Sequence, residues 1–297
     1  MNTNSKSGLI IAFSAFFLWG ITPIYFKWVE YENPLDIVAN RVLWSALLLG
    51  IILTVMAKWQ LVKQTILSFK TLKILVCTTI LIGTNWLVFV YAVSTDRMLD
   101  GSLGYYINPL VNVLLAYLFL GERLRKIQWL ALALAMVGVA IQVVGVGYLP
   151  WISIVLALSF GFYGLLHKKS QIDSFTSLFV ETSILLPFGL LFMGYLFQIG
   201  EGPATRELSG WIILILSGPI TTVPLLLFSI AAKKVTLSTI GFFQYIAPSM
   251  VFLLAVFVYG EALTLAKAIT FLFIWAGLAL YVFDSIVYGV RNKNIKN

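Results

Sequence analysis

Apolar runs of about 20 residues follow one another along the chain, separated only by short polar gaps, and a helix of that length crosses roughly 30 Å of hydrocarbon. The pattern predicts ten membrane-spanning helices, at approximately 8–28, 36–57, 73–95, 102–120, 127–146, 150–167, 174–199, 211–232, 237–259 and 265–288. The first run has no small-x-small site after its apolar core and continues through Trp19-Gly-Ile-Thr-Pro23 to Lys27, so it reads as a retained span, not a cleaved leader. The fold class expected is all-α: a polytopic membrane protein.

Composition agrees with hydrocarbon as the solvent. Hydrophobic residues make up 60% of the 297 residues and charged ones 11%, more apolar surface than a water-soluble domain of this size can bury. Charge then gives an orientation. With the amino terminus inside, 15 of the 20 Lys and Arg residues fall on the inner connections, among them Lys58, Lys63, Arg123, Arg125, Lys168, Lys169, Lys233 and Lys234. Both termini are therefore expected in the cytoplasm. The net charge of +8 is spread over short connections, so it suits the lipid bilayer and its anionic headgroups and does not indicate a nucleic-acid partner. The single cysteine, Cys77, allows no internal disulfide and is expected to be a small buried hydrophobe.

One block of sequence occurs twice. Ser102-Leu-Gly-Tyr-Tyr through Pro109, with Leu115-Ala116 and Gly121-Glu122, returns as Thr239-Ile-Gly-Phe-Phe through Pro248, with Leu254-Ala255 and Gly260-Glu261. From Pro109 onward the shift is a constant 139, carrying Gly138 to Gly277. A weaker echo relates Trp19-Gly20 and Lys27 to Phe160-Gly161 and Lys168. Five spans per half is an odd number, so the halves 1–147 and 148–297 lie upside down relative to each other, two inverted five-helix repeats forming one transport unit. Inverted repeats are typical of secondary carriers. The paired Gly-Glu steps read as structural: glycine closes one helix and glutamate faces the positive end of the next.

The joint occurrence of Leu18-Trp-Gly20 with Pro23, Asn40-Arg-Val-Leu-Trp-Ser45, Asn85-Trp86, Ser102 through Pro109, Glu181-Thr182 with Pro187, Gly218-Pro219, and Phe243-Gln-Tyr-Ile-Ala-Pro248 with Gly260-Glu261 resembles the drug/metabolite transporter superfamily, in its EamA-type branch and the RarD-type permeases within it. The resemblance covers nearly the whole chain. It implies a bacterial cytoplasmic-membrane exporter or permease for a small-molecule substrate, in a group whose naming is tied to chloramphenicol phenotypes.

Polar groups within the spans are the functional candidates, because each is expensive in lipid. Arg41 shares a face with Trp44 and Ser45 and could hold an anionic or polar group of a substrate, or snorkel to the outer interface. Glu181 is the carboxylate deepest in any predicted span. A carboxyl out of water exchanges protons nearer neutrality than one in solution, which makes it the candidate for proton coupling; the alternatives are a salt bridge to Lys168 or Lys169 and a solvated vestibule. Tyr105, Asn108 and Asn112 form a stripe on one helix, with Asn85 near the same depth, as cavity lining or as interhelical glue. Ser159, Tyr163 and His167 form another, whose histidine reads as an interfacial cap. Gln244 and Tyr245 lie beside Pro248, and Pro109, Pro219, Pro224 and Pro248 mark where helices can hinge. Trp44, Trp86, Tyr105, Tyr163 and Tyr245 could stack on a planar ligand or serve as packing.

Other function classes fare worse. One His, one Cys and no intramembrane Asp pair argue against a metal site, a cofactor or an enzyme's nucleophile-base pair. A channel would need rings of charge or a filter sequence, which the chain lacks. A carrier remains, for a neutral or zwitterionic metabolite or drug-like molecule, with an uptake permease as the alternative to an exporter.

Overall fold

The structure, a computed structural model, describes residues 3–95, 97–148, 150–170, 172–200, 208–260 and 264–294. The spans are α1 (Thr3–Trp28), α2 (Pro34–Val55), α4 (Phe69–Ser94), α5 (Met98–Leu120), α6 (Lys126–Val146), α7 (Trp151–Lys169), α8 (Ser174–Gln198), α9 (Leu208–Lys234), the pair α10 (Leu237–Gln244) and α11 (Ile246–Leu253), and α12 (Leu265–Asn294). Among the described residues, ten helical stretches are long and apolar enough to cross a membrane. Large apolar side chains such as Ile10, Phe17, Ile51, Leu118 and Phe283 stand exposed around them, where lipid tails would cover them.

Several details differ from the sequence expectation. A short helix, α3 (Trp59–Leu67), lies between the second and third spans, and the third span begins four residues early, at Phe69. The ninth span is broken at Tyr245 and widens into a π turn over Leu254–Val258. Pro248 sits three residues past the break and has no N–H to offer the Gln244 carbonyl. Cys77 is exposed on α4 and not buried.

The inversion is visible in close approaches. A Cβ added at Gly138 of α6 would lie 2.9 Å from the Thr270 carbonyl oxygen of α12, and one at Gly277 of α12 would lie 2.7 Å from that of Ala131 of α6. The two contacts are exchanged by the 139-residue shift, and residue numbers rise along one helix as they fall along the other, so α6 and α12 cross antiparallel about a local twofold. The echo in the first and sixth spans obeys the same operation, for Gly20 packs on Met250 and Gly161 on Val111. Only glycine allows backbones this near, since any side chain would meet fixed atoms.

The face where α1 begins and α12 ends, here the terminal face, is tied shut across the halves. Gly121 closes α5 in the left-handed conformation, as expected. Glu122 does not open the next helix. Its carboxylate instead accepts from Leu237 N (2.8 Å), Ser238 N (3.0 Å) and Ser238 Oγ (2.7 Å), so it caps α10 of the other half. Its repeat counterpart, Glu261, lies outside the described residues. Arg125 pairs with Asp284 at 2.6 Å and likewise crosses between the halves, while Lys168 donates to the Val235 carbonyl and Lys233 to that of Ile172 within the second half.

Candidate functional site

The opposite face holds an opening. On α5, Ser102 and Tyr105 are exposed, Tyr105 by 54%, whereas Asn108, Pro109 and Asn112 on the same side of the helix are buried. Leu114, exposed like Tyr117, Leu118 and Phe119 further along α5, is nine positions from Tyr105, half a rotation round the helix at 3.6 residues per turn. Tyr105 therefore faces a cleft inside the bundle. The cleft is open at the end of α5 away from the terminal face and closed deeper in, where Asn108 and Asn112 are buried.

Arg41 of α2 stands at this cleft. Its Nε donates to Thr221 Oγ1 of α9 at 2.8 Å, and its guanidinium lies 4.8 Å from the ring centroid of Trp86, a residue 8% exposed. Among the described residues no carboxylate pairs with Arg41. A guanidinium carries five N–H donors, and only one is spent here on a protein partner. Trp44 and Ser45 take other work: Trp44 Nε1 donates to Asn40, while Ser45 Oγ donates to the Gly218 carbonyl where α2 and α9 cross.

Below the opening, an amide network joins the halves. Asn108 Nδ2 donates to the Ala157 carbonyl (2.7 Å), and its Oδ1 accepts from Asn112 and Gln244. Asn112 Nδ2 also donates to Gln244 Oε1. Asn112 Oδ1 and Thr222 Oγ1 are the buried side-chain polar atoms that lack a hydrogen-bond partner among the described residues. Asn85 belongs to a neighbouring joint, donating to the Leu156 carbonyl (2.9 Å) and Ser159 Oγ (3.0 Å). Tyr245 is buried in a core with Ala135, Val139 and Ile274, its hydroxyl near the Tyr106 carbonyl. Of the four hinge candidates, Pro109 and Pro248 are buried in α5 and α11, and Pro219 and Pro224 lie within a continuous α9 on either side of Thr221-Thr222.

A third cluster lies toward the terminal face, and it corrects two expectations. Glu181 is 3% exposed and bonds neither Lys168 nor Lys169. Its Oε1 accepts from Thr78 Oγ1 (2.6 Å) and meets His167 Nε2 (3.0 Å), and Tyr163 Oη donates to Oε2 (3.1 Å). His167, read from the sequence as an interfacial cap, is 1% exposed. Its Nδ1 is 2.9 Å from Ser229 Oγ, which lies 3.0 Å from Ser174 Oγ, which accepts in turn from Lys233 Nζ at 3.0 Å. No group of three or more metal-ligating side chains occurs among the described residues. An apolar groove of about 500 Å³, lined by Leu47, Ile51 and Phe179 among others, lies against the lipid side of α2 and α8 and holds no charge.

The sequence pattern of the EamA-like transporter family matches residues 6–144 and again 149–283. An uncharacterized transporter of Vibrio cholerae is 48% identical over 290 residues, covering 96% of this chain and 95% of that protein. The protein named RarD of Salmonella typhimurium is 45% identical over 293 residues, 97% of this chain and 98% of its own. A Pseudomonas aeruginosa relative named chloramphenicol-sensitive protein RarD is 28% identical over 286 residues, 95% of each chain. One crystal structure superposes with a TM-score of 0.72 at 19% identity, over 92% of this chain and 96% of its own, a likeness of fold.

Proposed function

Because the chain belongs to the EamA-like transporter family, we propose that it is a secondary carrier that exports a small metabolite or drug-like molecule across the bacterial cytoplasmic membrane by alternating access, seating an anionic group of its cargo on Arg41. The observation that carries the reading is Arg41 itself: a guanidinium within the bundle with no carboxylate among the described residues, stacked on Trp86 and looking onto an exposed Tyr105. A charge in that setting is costly unless something polar meets it. An incoming carboxylate would supply two acceptors to the open edge of the fork, and the rings offer a flat wall for an aromatic or amphipathic body. Asn112 Oδ1 offers a donor on the cargo an acceptor deeper in. A zwitterion with a planar group satisfies all three.

The positive-inside bias makes the terminal face cytoplasmic, so the conformation described is open to the outside and tied shut within. The family and the Vibrio cholerae relative are named as transporters, which supports the carrier reading.

The test uses purified protein and a matched pair of probes, L-phenylalanine and L-phenylalaninamide, which differ only in the carboxylate. The amino acid is expected to raise the melting temperature of the wild type and not of Arg41→Gln, and the amide to raise neither. Equal effects of both probes on both proteins would remove Arg41 from the cargo site. Counterflow of the bound probe in oriented proteoliposomes then separates export from uptake.

A further inference from the structure

The cluster around Glu181 is separate from the Arg41–Thr221–Trp86 contacts, and its geometry asks for its own explanation. Five side chains from four helices converge there: Thr78 from α4, Tyr163 and His167 from α7, Glu181 from α8 and Ser229 from α9. We propose that His167 and Glu181 together form a one-proton binding site, connected to the terminal face through Ser229 and Ser174.

Two arrangements of the hydrogens on the same heavy atoms define two states, and the direction seen in the structure, Ser229 donating to Ser174, is that of the second. In the first, His167 is neutral: Nε2–H donates to the Glu181 carboxylate and Nδ1 accepts from Ser229, which requires the serine pair to be turned round so that Ser174 donates to Ser229. The pair then carries one negative charge. In the second, a proton from solvent has joined Ser174 Oγ, Ser174 has passed its own proton to Ser229, and Ser229 has passed its own to Nδ1. Both hydroxyls have reversed direction and His167 is an imidazolium against the carboxylate, with no net charge on the pair. No heavy atom moves and one proton has been gained. Relocating it from imidazole to carboxyl would leave the total unchanged, so the proton belongs to the pair.

The surroundings favour such a site. Both residues are excluded from water, where a lone carboxylate is expensive and a neutral pair is not. The charged and titratable groups facing it are few. From α7 comes the Tyr163 phenol, and Lys168 is committed to the Val235 carbonyl. From α9 comes Lys233, whose charge reaches both Asp173 and Glu181, and at the start of α8 Asp173 is paired with Lys58. From α4 there is only the Thr78 hydroxyl. Lys233 holds Ser174 at the end of the chain nearest the terminal face.

Use of the proton in transport rests on the carrier reading above, because the site joins α4, α7, α8 and α9 beneath the cleft. Binding of the proton does not, and it can be measured without any cargo. His167 is the sole histidine of the chain, so 15N-histidine labelling of the full protein, purified with a histidine-free affinity tag, gives the two ring nitrogens of one residue. Their chemical shifts, followed from pH 5 to 9, are expected to move together at one midpoint, with the Glu181 carboxylate infrared bands, identified by subtracting Glu181→Gln, moving at the same pH. Glu181→Gln is expected to displace that midpoint by more than one pH unit. Tyr163→Phe, which keeps the carboxylate and removes one donor, displaces it by less and serves if the first variant does not fold. Ser229→Ala is expected to slow exchange of the Nδ1 proton with solvent at least tenfold. A histidine signal that stays fixed throughout the range, a midpoint indifferent to both substitutions, or unchanged exchange in Ser229→Ala would each overturn the proposal. Each would leave the phenylalanine test standing, and failure of that test would leave this one standing.

Discussion

Arg41 and Glu181 are both ionisable residues set among apolar helices, and the bundle treats them in opposite ways. Glu181 is surrounded: a threonine, a tyrosine and a histidine meet its two oxygens, and water is excluded. Arg41 is left open, with one protein acceptor and an aromatic ring, at the wall of a cleft. A charge satisfied from within serves the protein's own states, whereas one left unsatisfied is available to something that arrives.

That contrast can be broken most severely at Glu181. Glu181→Ala leaves Thr78, Tyr163 and His167 without their acceptor and is expected to destabilise the protein by about 3–5 kcal/mol, read as a large fall in thermal midpoint in detergent. Glu181→Gln keeps one acceptor oxygen and should cost less than half of that. If the alanine variant melts with the wild type, the cluster is not holding the four helices. Arg41→Gln should do the reverse, leaving the midpoint almost unchanged while weakening a bound carboxylate by about 1.5–3 kcal/mol, roughly 10- to 100-fold in Kd by calorimetry. Should it destabilise as strongly as Glu181→Ala, Arg41 is a structural tie and the comparison fails. Trp86→Leu removes the ring beneath the guanidinium and is expected to weaken the same ligand by about 1 kcal/mol, near fivefold.

The smallest effect sharpens the comparison with a third charge. Asp173 caps α8 outside the spans and is partly exposed. Burial alone would raise its pKa, but the Lys58 ammonium and the Thr176 N–H hold it below the ordinary 3.8. Its charge therefore adds stability that is complete above pH 3.8 and is lost as pH falls through the lower folded value. Asp173→Asn retains the cap and removes the charge, so it should cost about 0.5 kcal/mol at pH 7 and nothing near pH 2. A difference in melting temperature that persists in acid would mean the carboxylate's charge is not what is lost.

The spans were legible because each follows from hydropathy summed over about 20 residues, and the repeat because Pro109 and Gly138 recur at Pro248 and Gly277 with one constant shift. The site was legible in part. Arg41, Trp86 and Tyr105 stood out as polar or aromatic residues in apolar runs, and the structure sets the first over the ring of the second. His167 did not stand out correctly, since beside Lys168 and Lys169 it looks like the end of a helix at an interface. The start of α8 and the last turns of α9 fold over it, placing Ser174 and Ser229 on that end, and no pattern within α7 announces this. Glu122 shows the same limit. Its glycine signals a helix end locally, while the carboxylate's partners are more than a hundred positions away.

The reciprocal glycine contact between α6 and α12 has a bearing on motion. An operation that trades one half for the other sends the Gly138–Thr270 contact onto Ala131–Gly277, so this seam survives the exchange as it was. The Glu122 cap on α10 has no such immunity, because the exchange sends it to the far side of the membrane. In a protein that works by swapping halves, the first kind of joint is an axle and the second a bolt.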